Sequence, residues 1–161
     1  MRLLLTADTH GPRHRLPPWL LAAAREVDIV VHAGDLCDLA TLGALAETGP
    51  VYAVRGNRDE GFMLPERLLV TCEDVTIGLV HGHLGPGKGT AERALRSFTP
   101  LPDVVVFGHS HVPWNATGVA GQLLFNPGSP TERRQQPHRT MGVLELAVGQ
   151  VVRATIEIVD P

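Results

Sequence analysis

The sequence predicts an α/β fold in which two mixed β-sheets pack face to face and are flanked by helices (αββα). The first half of the 161-residue chain alternates short apolar runs with helical segments, a βαβαβ order that favours parallel strands. From residue 67 onward most segments have strand patterns separated by turns. This length is typical of one domain, and we find neither a linker nor an internal repeat within residues 1–161.

The first half of the chain predicts three strands and two helices. The first helix spans Leu16–Glu26, with its prolines in the first turn, where they are tolerated. The second helix begins after Asp38, a residue type that caps helix N-termini, and continues to about Glu47. The strands are short apolar runs that end at polar or glycine residues: Leu3–Thr6, Asp28–His32 and Val51–Val54.

The second half of the chain predicts mainly strands. Two β-rich runs, Arg67–Cys72 and Val75–Val80, are separated by two acidic turn residues and predict a hairpin. A glycine-rich stretch precedes a helix near Thr90–Ser97, and Val104–Phe107 is a further buried strand. Later strands are separated by glycine and proline turns, and the polar segment Pro130–Arg139 predicts a mobile loop.

Composition excludes several functional classes. The sequence is 43% apolar and 19% charged, which is typical of a globular protein. A formal net charge of −3 and an aromatic content of 4% argue against a nucleic-acid-binding surface. The two cysteines indicate neither a disulfide framework nor a C-x-x-C metal site. Because no apolar run reaches the roughly 18 residues of a membrane span, and the N-terminus lacks a signal-peptide pattern, we expect a cytoplasmic protein.

Metal-binding residue types follow five of the predicted strands. Ligands gather beyond the carboxyl ends of the strands in open α/β sheets, so five loops would bring these groups to one place. Histidine and carboxylate ligands without thiolate suit Mn, Fe, Zn, Ni or Co, and a carboxylate can bridge two cations about 3.5–4 Å apart. The loops are Asp8-Thr9-His10, Gly34-Asp35-Leu36-Cys37-Asp38, Gly56-Asn57-Arg58-Asp59, His81-Gly82-His83 and Gly108-His109-Ser110-His111.

The order of these loops, D-x-H, G-D-x-x-D, G-N-x-D, H-G-H and G-H-x-H, resembles the calcineurin-like metallophosphoesterase superfamily. With its short chain and the turn at Asn126–Ser129, the sequence is most similar to the small YfcE-type phosphodiesterases. The resemblance covers nearly the whole chain and implies a metallophosphoesterase-type β-sandwich. It implies that one metal is bound by Asp8, His10 and His111, that the other is bound by Asn57, His81 and His109, and that Asp35 bridges both.

The resemblance also implies an activity. Two divalent metal ions per chain would activate a bridging water for in-line attack on a small phosphate ester, and we expect phosphodiesters to be the main substrates. Asp35 and Asn57 then act at the catalytic centre, whereas Asp38 orients its neighbours and caps its helix. Mn is the expected metal, with Ni, Zn, Fe and Co as alternatives. The resemblance further suggests a homodimer or a homotetramer.

One position departs from the family pattern. Many members have a histidine after the motif asparagine, where it can protonate the leaving oxygen, whereas this sequence has Arg58. A guanidinium stays protonated and can pair with phosphate oxygens, but it cannot act as a general acid. We therefore expect Arg58 to stabilise charge. Protonation of the leaving group would fall to His83, to water or to no group.

Several other residues have open interpretations. His83 either contacts the substrate or supports the ligands, and His32 is expected to be a buried histidine that does not bind metal. His14 and His138 lie in polar stretches and are predicted at the surface. The arginines of the polar loop (Arg133, Arg134 and Arg139) are either solvated or line the substrate rim.

The alternative function is a protein-interaction scaffold of the same fold with weak or no catalysis. One branch of the superfamily uses the fold in this way, with a degraded metal site. All seven expected ligands are present in this sequence, which favours the enzyme. A nuclease would need a long basic surface or an added domain, and a net charge of −3 on 161 residues indicates neither.

Overall fold

The computed structural model describes residues 1–11 and 16–159, and His14 lies outside these residues. Strands and helices alternate in the first half, and strands dominate the second. In chain order the elements are β1 (Arg2–Thr6), α1 (Pro18–Arg25), β2 (Ile29–His32), α2 (Leu39–Ala46), β3 (Val51–Ala53), β4 (Arg67–Cys72), β5 (Val75–Val80), α3 (Thr90–Leu95), β6 (Val104–Phe107), β7 (Trp114–Thr117), β8 (Leu123–Asn126), β9 (Thr140–Ala147) and β10 (Gln150–Ile158).

The strands form two mixed sheets. The first sheet has the order β10-β9-β1-β2-β3, in which β1, β2 and β3 are parallel and β9 pairs antiparallel with both β1 and β10. The second sheet has the order β4-β5-β6-β8-β7, in which β5, β6 and β8 are parallel and the edge strands β4 and β7 are antiparallel. This architecture confirms the predicted α/β sandwich of two mixed sheets.

Three apolar layers hold the sheets and helices together. Leu3 and Leu5 of β1 face the core between the two sheets, whereas Leu4 packs with the helices α1 and α2 on the outer face. The same alternation on β6 places Val104 and Val106 between the sheets and Phe107 against α3. Successive side chains of a strand point to opposite faces of the sheet. A strand that is buried on both faces is therefore a continuous apolar run and does not alternate apolar with polar residues.

Helix boundaries differ by a few residues from the predicted ones. Helix α1 begins at Pro18 rather than Leu16, since a proline can occupy the first helical turn without losing a hydrogen bond. Helix α2 is capped as predicted, because Oδ1 of Asp38 accepts a hydrogen bond from the N–H of Ala40 at 3.0 Å. Helix α3 ends at Leu95, two residues before the predicted end. None of the helices in the described part of the chain is long and apolar enough to cross a membrane.

The carboxyl ends of the central strands meet at one edge of the sandwich. The loops after β1 and β2 are joined by a hydrogen bond from the N–H of Asp8 to the carbonyl oxygen of Gly34, at 2.9 Å. The loops after β5 and β6 are joined similarly, by the N–H of Gly108 and the carbonyl of His81, at 3.2 Å. This edge therefore gathers loops from both sheets, as the sequence predicts.

Candidate metal centre

The backbone of the loops at this edge is turned inward by residues in the left-handed region. A positive φ is uncommon for a residue with a side chain, and such conformations concentrate at functional sites. Here five of the predicted metal ligands adopt it: Asp8 (φ 54°), His10 (φ 41°), Asp35 (φ 57°), His109 (φ 69°) and His111 (φ 58°). The local strain is borne where the strands end, and it directs these side chains towards one another.

Asp8, His10 and His111 form the first group. Nε2 of His10 lies 3.0 Å from Nε2 of His111, and the two rings stack with centroids 4.9 Å apart. Oδ1 of Asp8 lies 3.6 Å from Nε2 of His10 and 3.5 Å from Nε2 of His111. Metal–ligand bonds of about 2.1 Å at angles of roughly 90° to 120° place neighbouring ligand atoms about 3.0 to 3.6 Å apart, so these distances fit one shared cation.

Asp35 lies between this group and His81. Its Oδ2 is 3.5 Å from Nε2 of His10, and its Oδ1 is 3.5 Å from Nε2 of His81. Each carboxylate oxygen thus faces a histidine of a different predicted metal site, which is the arrangement that a bridging ligand needs. Asp8 is also close to the second site, because its Oδ1 is 3.6 Å from Nε2 of His81.

Asn57 and His109 complete the second group at the solvent-facing side. Oδ1 of Asn57 lies 3.1 Å from Nδ1 of His109, and the rings of His81 and His109 meet edge to face with centroids 5.0 Å apart. The loops after β3, β5 and β6 supply these three residues. The structure therefore brings all seven predicted ligands to one place.

The polarity of the cluster fits bound cations. Asp8 is fully buried, and neither of its carboxylate oxygens has a hydrogen-bond partner among the described residues. Both ring nitrogens of His81 are buried and equally without a partner. A buried carboxylate without compensation costs several kcal/mol, which a coordinated cation removes. The donor set of carboxylate, imidazole and amide groups suits divalent transition metals.

Comparison with known proteins identifies the family of the chain. Residues 1–149 match the model of the calcineurin-like phosphoesterase superfamily domain. The chain belongs to the calcineurin-like phosphoesterase superfamily. It is 33% identical over 138 residues to a probable metallophosphoesterase of Methanothermobacter thermautotrophicus, covering 83% of this chain and 80% of that protein.

Two solved structures show how this phosphoesterase domain relates to others of known fold. Wild-type Vps29 of Entamoeba histolytica, complexed with Zn²⁺, superimposes with a TM-score of 0.77 at 25% identity and covers 99% of each chain. An archaeal phosphodiesterase superimposes with a TM-score of 0.70 at 23% identity, covering 98% of this chain and 100% of that one. The chain therefore shares its fold both with a protein named Vps29 and with one named a phosphodiesterase.

Burial lowers the pKa values of three of the four histidines in the candidate metal centre. Burial lowers the pKa of His81 to about 3 and also lowers the pKa values of His109 and His111. Burial alone would lower the pKa of His10 too, but the nearby carboxylates of Asp8 and Asp35 raise it overall. Metal ligands must be neutral imidazoles and ionised carboxylates. Burial raises the pKa of Asp35 to about 6, so a nearby cation is needed to keep it ionised at lower pH.

The proton on His111 is fixed by the backbone. Nδ1 of His111 lies 2.5 Å from the carbonyl oxygen of Glu132, which can only accept a hydrogen bond. Nδ1 therefore carries the proton and Nε2 presents its lone pair to the centre. Such a contact orients the ring and raises the basicity of the ligating nitrogen.

Asp59 is a supporting residue for which sequence reasoning predicted no role. It is fully buried, and its Oδ1 accepts a hydrogen bond from the N–H of Cys37 at 2.7 Å. Its Oδ2 accepts one from the N–H of Gly56 at 2.8 Å. Asp59 therefore joins the loop that carries Asp35 to the loop that carries Asn57. The motif G-N-x-D was the available signal, but the motif alone does not indicate whether its aspartate binds metal or backbone N–H groups.

His32 is buried and hydrogen-bonded on both ring nitrogens, as predicted. Its Nδ1 accepts a hydrogen bond from the N–H of Gly34 at 3.2 Å, and its Nε2 lies 3.1 Å from Oγ1 of Thr9. It supports the loops that carry Asp8 and Asp35, and it does not itself reach the cluster of ligand atoms. Burial lowers its pKa from 6.5 to about 4, so it is neutral in the folded protein.

The pKa of His32 predicts a pH-dependent loss of stability. Because the folded-state pKa is lower than the unfolded one, stability is complete above pH 6.5 and decreases as the pH falls from 6.5 to about 4, where the folded state also protonates. A shift of this size corresponds to roughly 3 kcal/mol of unfolding free energy. Urea denaturation of chelator-treated protein at pH 7 and pH 4.5 measures it. His32→Gln, which lacks the titration, should lose less stability than the wild type; equal losses would contradict the assignment.

A cleft opens on the centre, and a depression lies near it. A cleft of about 420 Å³ is lined by ligands of both groups together with Arg58, Glu132 and Arg134. A second depression of about 530 Å³ lies at the side of His83 and is lined also by Glu66, Arg67 and Leu84. The ring of His83 is 5.1 Å from that of His81, and its Nδ1 is buried without a hydrogen-bond partner.

Proposed function

We propose that the protein is a dinuclear-metal-dependent phosphoesterase that hydrolyses small phosphodiesters. The observation that carries the proposal is the position of Asp35, whose two oxygens face His10 and His81 at 3.5 Å each. The buried, unpartnered carboxylate of Asp8 next to both groups supports it. In this proposal Asp8, His10 and His111 hold one cation, Asn57, His81 and His109 hold the other, and Asp35 bridges them.

The chemistry that the cations would supply is general to such centres: they lower the pKa of water and neutralise phosphoryl oxygens during in-line displacement. Mn is the metal we expect, with Ni, Zn, Fe and Co as alternatives, and nitrogen and oxygen ligands suit all of them. Zn²⁺ is the ion in the Entamoeba Vps29 structure, whose chain is 25% identical to this one. A cytoplasmic location and homo-oligomeric assembly stay predictions from the sequence.

The surface near the centre supports a diester rather than a monoester. A diester has two organic groups on phosphorus; one would occupy the cleft beside His10 and Arg58, and the other would occupy the depression beside His83, whose ring lies 5.1 Å from that of His81. The chain's own residues would then orient the ester. The backbone N–H of Arg58 donates a hydrogen bond to Oδ1 of Asp35 at 2.8 Å, which orients the carboxylate proposed to bridge the cations.

A protein-interaction scaffold is the second candidate. Its support is the similarity of fold to Vps29, which matches over nearly the whole chain. The complete ligand set and the unpartnered buried carboxylate of Asp8 favour the enzyme, since a scaffold needs neither. The two candidates differ in turnover, and turnover is easily measured.

The test is hydrolysis of bis-p-nitrophenyl phosphate and p-nitrophenyl phosphate by chelator-stripped protein after addition of Mn, Ni, Zn or Mg. We expect metal-dependent cleavage, with the diester preferred, and its loss in His81→Ala. Arg153→Ala is a matched control, because Arg153 of β10 pairs with Glu145 of β9, away from the metal loops. Metal binding without cleavage of either ester would favour the scaffold.

The replacement of the usual histidine by Arg58 predicts a dependence on the leaving group. A guanidinium cannot donate the proton that a poor leaving group needs. Burial lowers the pKa of His83, so little of its imidazolium is present at neutral pH. We expect the rate of diester cleavage to fall steeply as the pKa of the leaving phenol rises. A series of substituted aryl diesters measures this slope, and a flat dependence with chemistry rate-limiting would contradict the absence of a general acid.

Arg58→His tests whether a general acid at this position changes the dependence on the leaving group. If the missing acid causes the steep dependence, a histidine at this position should flatten the slope and accelerate the poorest leaving groups most. Arg58→Gln has no ionisable proton to donate, so it should leave the slope steep. Equal slopes in the two variants would show that residue 58 has no part in leaving-group protonation.

A further inference from the structure

The loop after β8 is fastened to the metal loops. Oγ of Ser129 donates a hydrogen bond to the carbonyl oxygen of Asp8 at 2.8 Å, and Oγ1 of Thr131 donates one to the carbonyl of Thr9 at 2.7 Å. The carbonyl of Glu132 accepts from Nδ1 of His111. The sequence predicts a mobile loop over Pro130–Arg139, but these contacts fix its first residues against the centre.

This attachment places Arg134 at the cleft. Arg134 has a left-handed backbone (φ 51°), and its Nη1 lies 3.5 Å from the carbonyl oxygen of His109. Its side chain lines the same cleft as Arg58, with Asn57 and His109 among the residues between them. Two guanidinium groups thus border the mouth of the metal centre, each held by a loop that also carries or contacts a metal ligand.

Arg58 and Arg134 line the cleft without an acidic partner, whereas several other arginines are paired with carboxylates. Arg55 pairs with Glu66, Arg96 with Glu92 at 2.7 Å, and Arg153 with Glu145 at 3.7 Å. Within the described ranges 1–11 and 16–159, no carboxylate lies within ion-pair distance of Arg58 or Arg134. The carboxylate of Glu132 lines the same cleft without pairing with either group.

The charges of the cleft exceed what a simple diester can balance. Two dications with the carboxylates of Asp8 and Asp35 leave an excess of positive charge, and a diester brings one negative charge to it. The outer cleft then adds two guanidinium groups against the single carboxylate of Glu132. Guanidinium groups form short, charge-assisted hydrogen bonds with phosphate, so a second anionic group on the substrate would find its partners here.

We propose that Arg134, with Arg58 across the cleft, binds a second phosphate group of the substrate. The substrate class is then a small phosphodiester whose retained arm carries a phosphate. The inference rests on the proposed phosphodiesterase function for its meaning, but the site itself is an anion-binding site and can be tested separately.

The test compares two substrates that share a scissile bond and a leaving group. Thymidine 5′-(p-nitrophenyl phosphate) and its 3′-phosphorylated derivative differ only in the remote phosphate. With metal-loaded wild-type protein we expect the 3′-phosphate to lower KM at least about tenfold, since hydrogen bonds to charged groups are the strong ones. The advantage should disappear in Arg134→Gln and be partly kept in Arg134→Lys.

Arg133→Gln is the matched control. Nη1 of Arg133 donates to the carbonyl oxygen of Gln136 at 2.8 Å, within its own loop, and Arg133 does not line the cleft. This variant should keep the full advantage of the 3′-phosphate. Equal KM values for the two substrates in the wild type, or an undiminished advantage in Arg134→Gln, would overturn the proposal.

Calorimetric titration separates this proposal from the proposed function. If neither compound is cleaved, the phosphodiesterase assignment fails, and both compounds become stable ligands for the metal-loaded protein. Their dissociation constants then give the same comparison. At least tenfold tighter binding of the 3′-phosphorylated compound, lost in Arg134→Gln, would support the anion site in an inactive protein, and equal affinities would overturn it.

Discussion

Replacing Asp35 with asparagine is expected to lower metal-dependent diester cleavage by at least about 100-fold, because changes to residues outside the ligand shell already cost 10- to 100-fold. The substitution keeps the size of the side chain and removes its charge. Asparagine can offer one oxygen to a cation but cannot give one to each of two. With the two oxygens of Asp35 facing His10 and His81, both cation sites should weaken together.

The measurement is kcat/KM for bis-p-nitrophenyl phosphate at saturating Mn, together with the number of Mn ions bound. Asp38→Asn is the matched control, since it makes the same chemical change three residues further along. Oδ1 of Asp38 caps α2, and asparagine caps helices equally well. An Asp35→Asn variant that retains both cations and more than a tenth of the activity would contradict the bridging role.

Replacing Gly56 with alanine is expected to destabilise the protein by at least about 2 kcal/mol and to abolish high-affinity metal binding. A Cβ atom at Gly56 would lie 2.1 Å from Oδ1 of Asp35 and 2.5 Å from its backbone nitrogen. Real Cβ atoms do not approach other atoms so closely, so either the loop of Asn57 or the bridging carboxylate must move. The lost metal affinity follows from that displacement.

Gly43→Ala is a strong contrast for this prediction. Gly43 lies inside α2, and a Cβ atom there would meet nothing within 4 Å. Alanine is the better helix former by about 0.5–1 kcal/mol, so Gly43→Ala should raise the free energy of unfolding and leave metal binding unchanged. Denaturation curves and Mn titrations of both variants measure the two effects. A Gly56→Ala protein as stable as the wild type would contradict the described packing.

Much of the fold and of the centre could be predicted because both depend on short local patterns. Buried strands such as Val104–Phe107 are unbroken apolar runs, and the ligand loops follow them directly. Parallel strands bring their carboxyl ends to one edge, so sequence order was enough to place Asp8 and Asp35 together. The N-cap at Asp38 was predictable for the same reason, since its partner is two residues away.

The roles that sequence reasoning missed or left open depend on contacts between residues far apart in the chain. Ser129 bonds to the carbonyl oxygen of Asp8 across 121 residues, and Arg134 reaches His109 across 25. A polar segment with proline and arginine looks the same whether it is solvated or fixed, because its anchors are backbone carbonyls that no side-chain pattern records. Asp59 was hidden differently: its buried role depends on two backbone N–H groups that only the folded loops bring together.

The proposed dinuclear metal centre is tested most directly by the number and position of the bound cations. Chelator-stripped protein is dialysed against Mn, the metal content per chain is measured, and the ions are located by anomalous diffraction. We expect two ions per chain, with Asp35 in contact with both. One ion should lie among Asp8, His10 and His111, and the other should lie among Asn57, His81 and His109. Absence of binding, or ions bound only outside this cluster, would contradict the proposed centre.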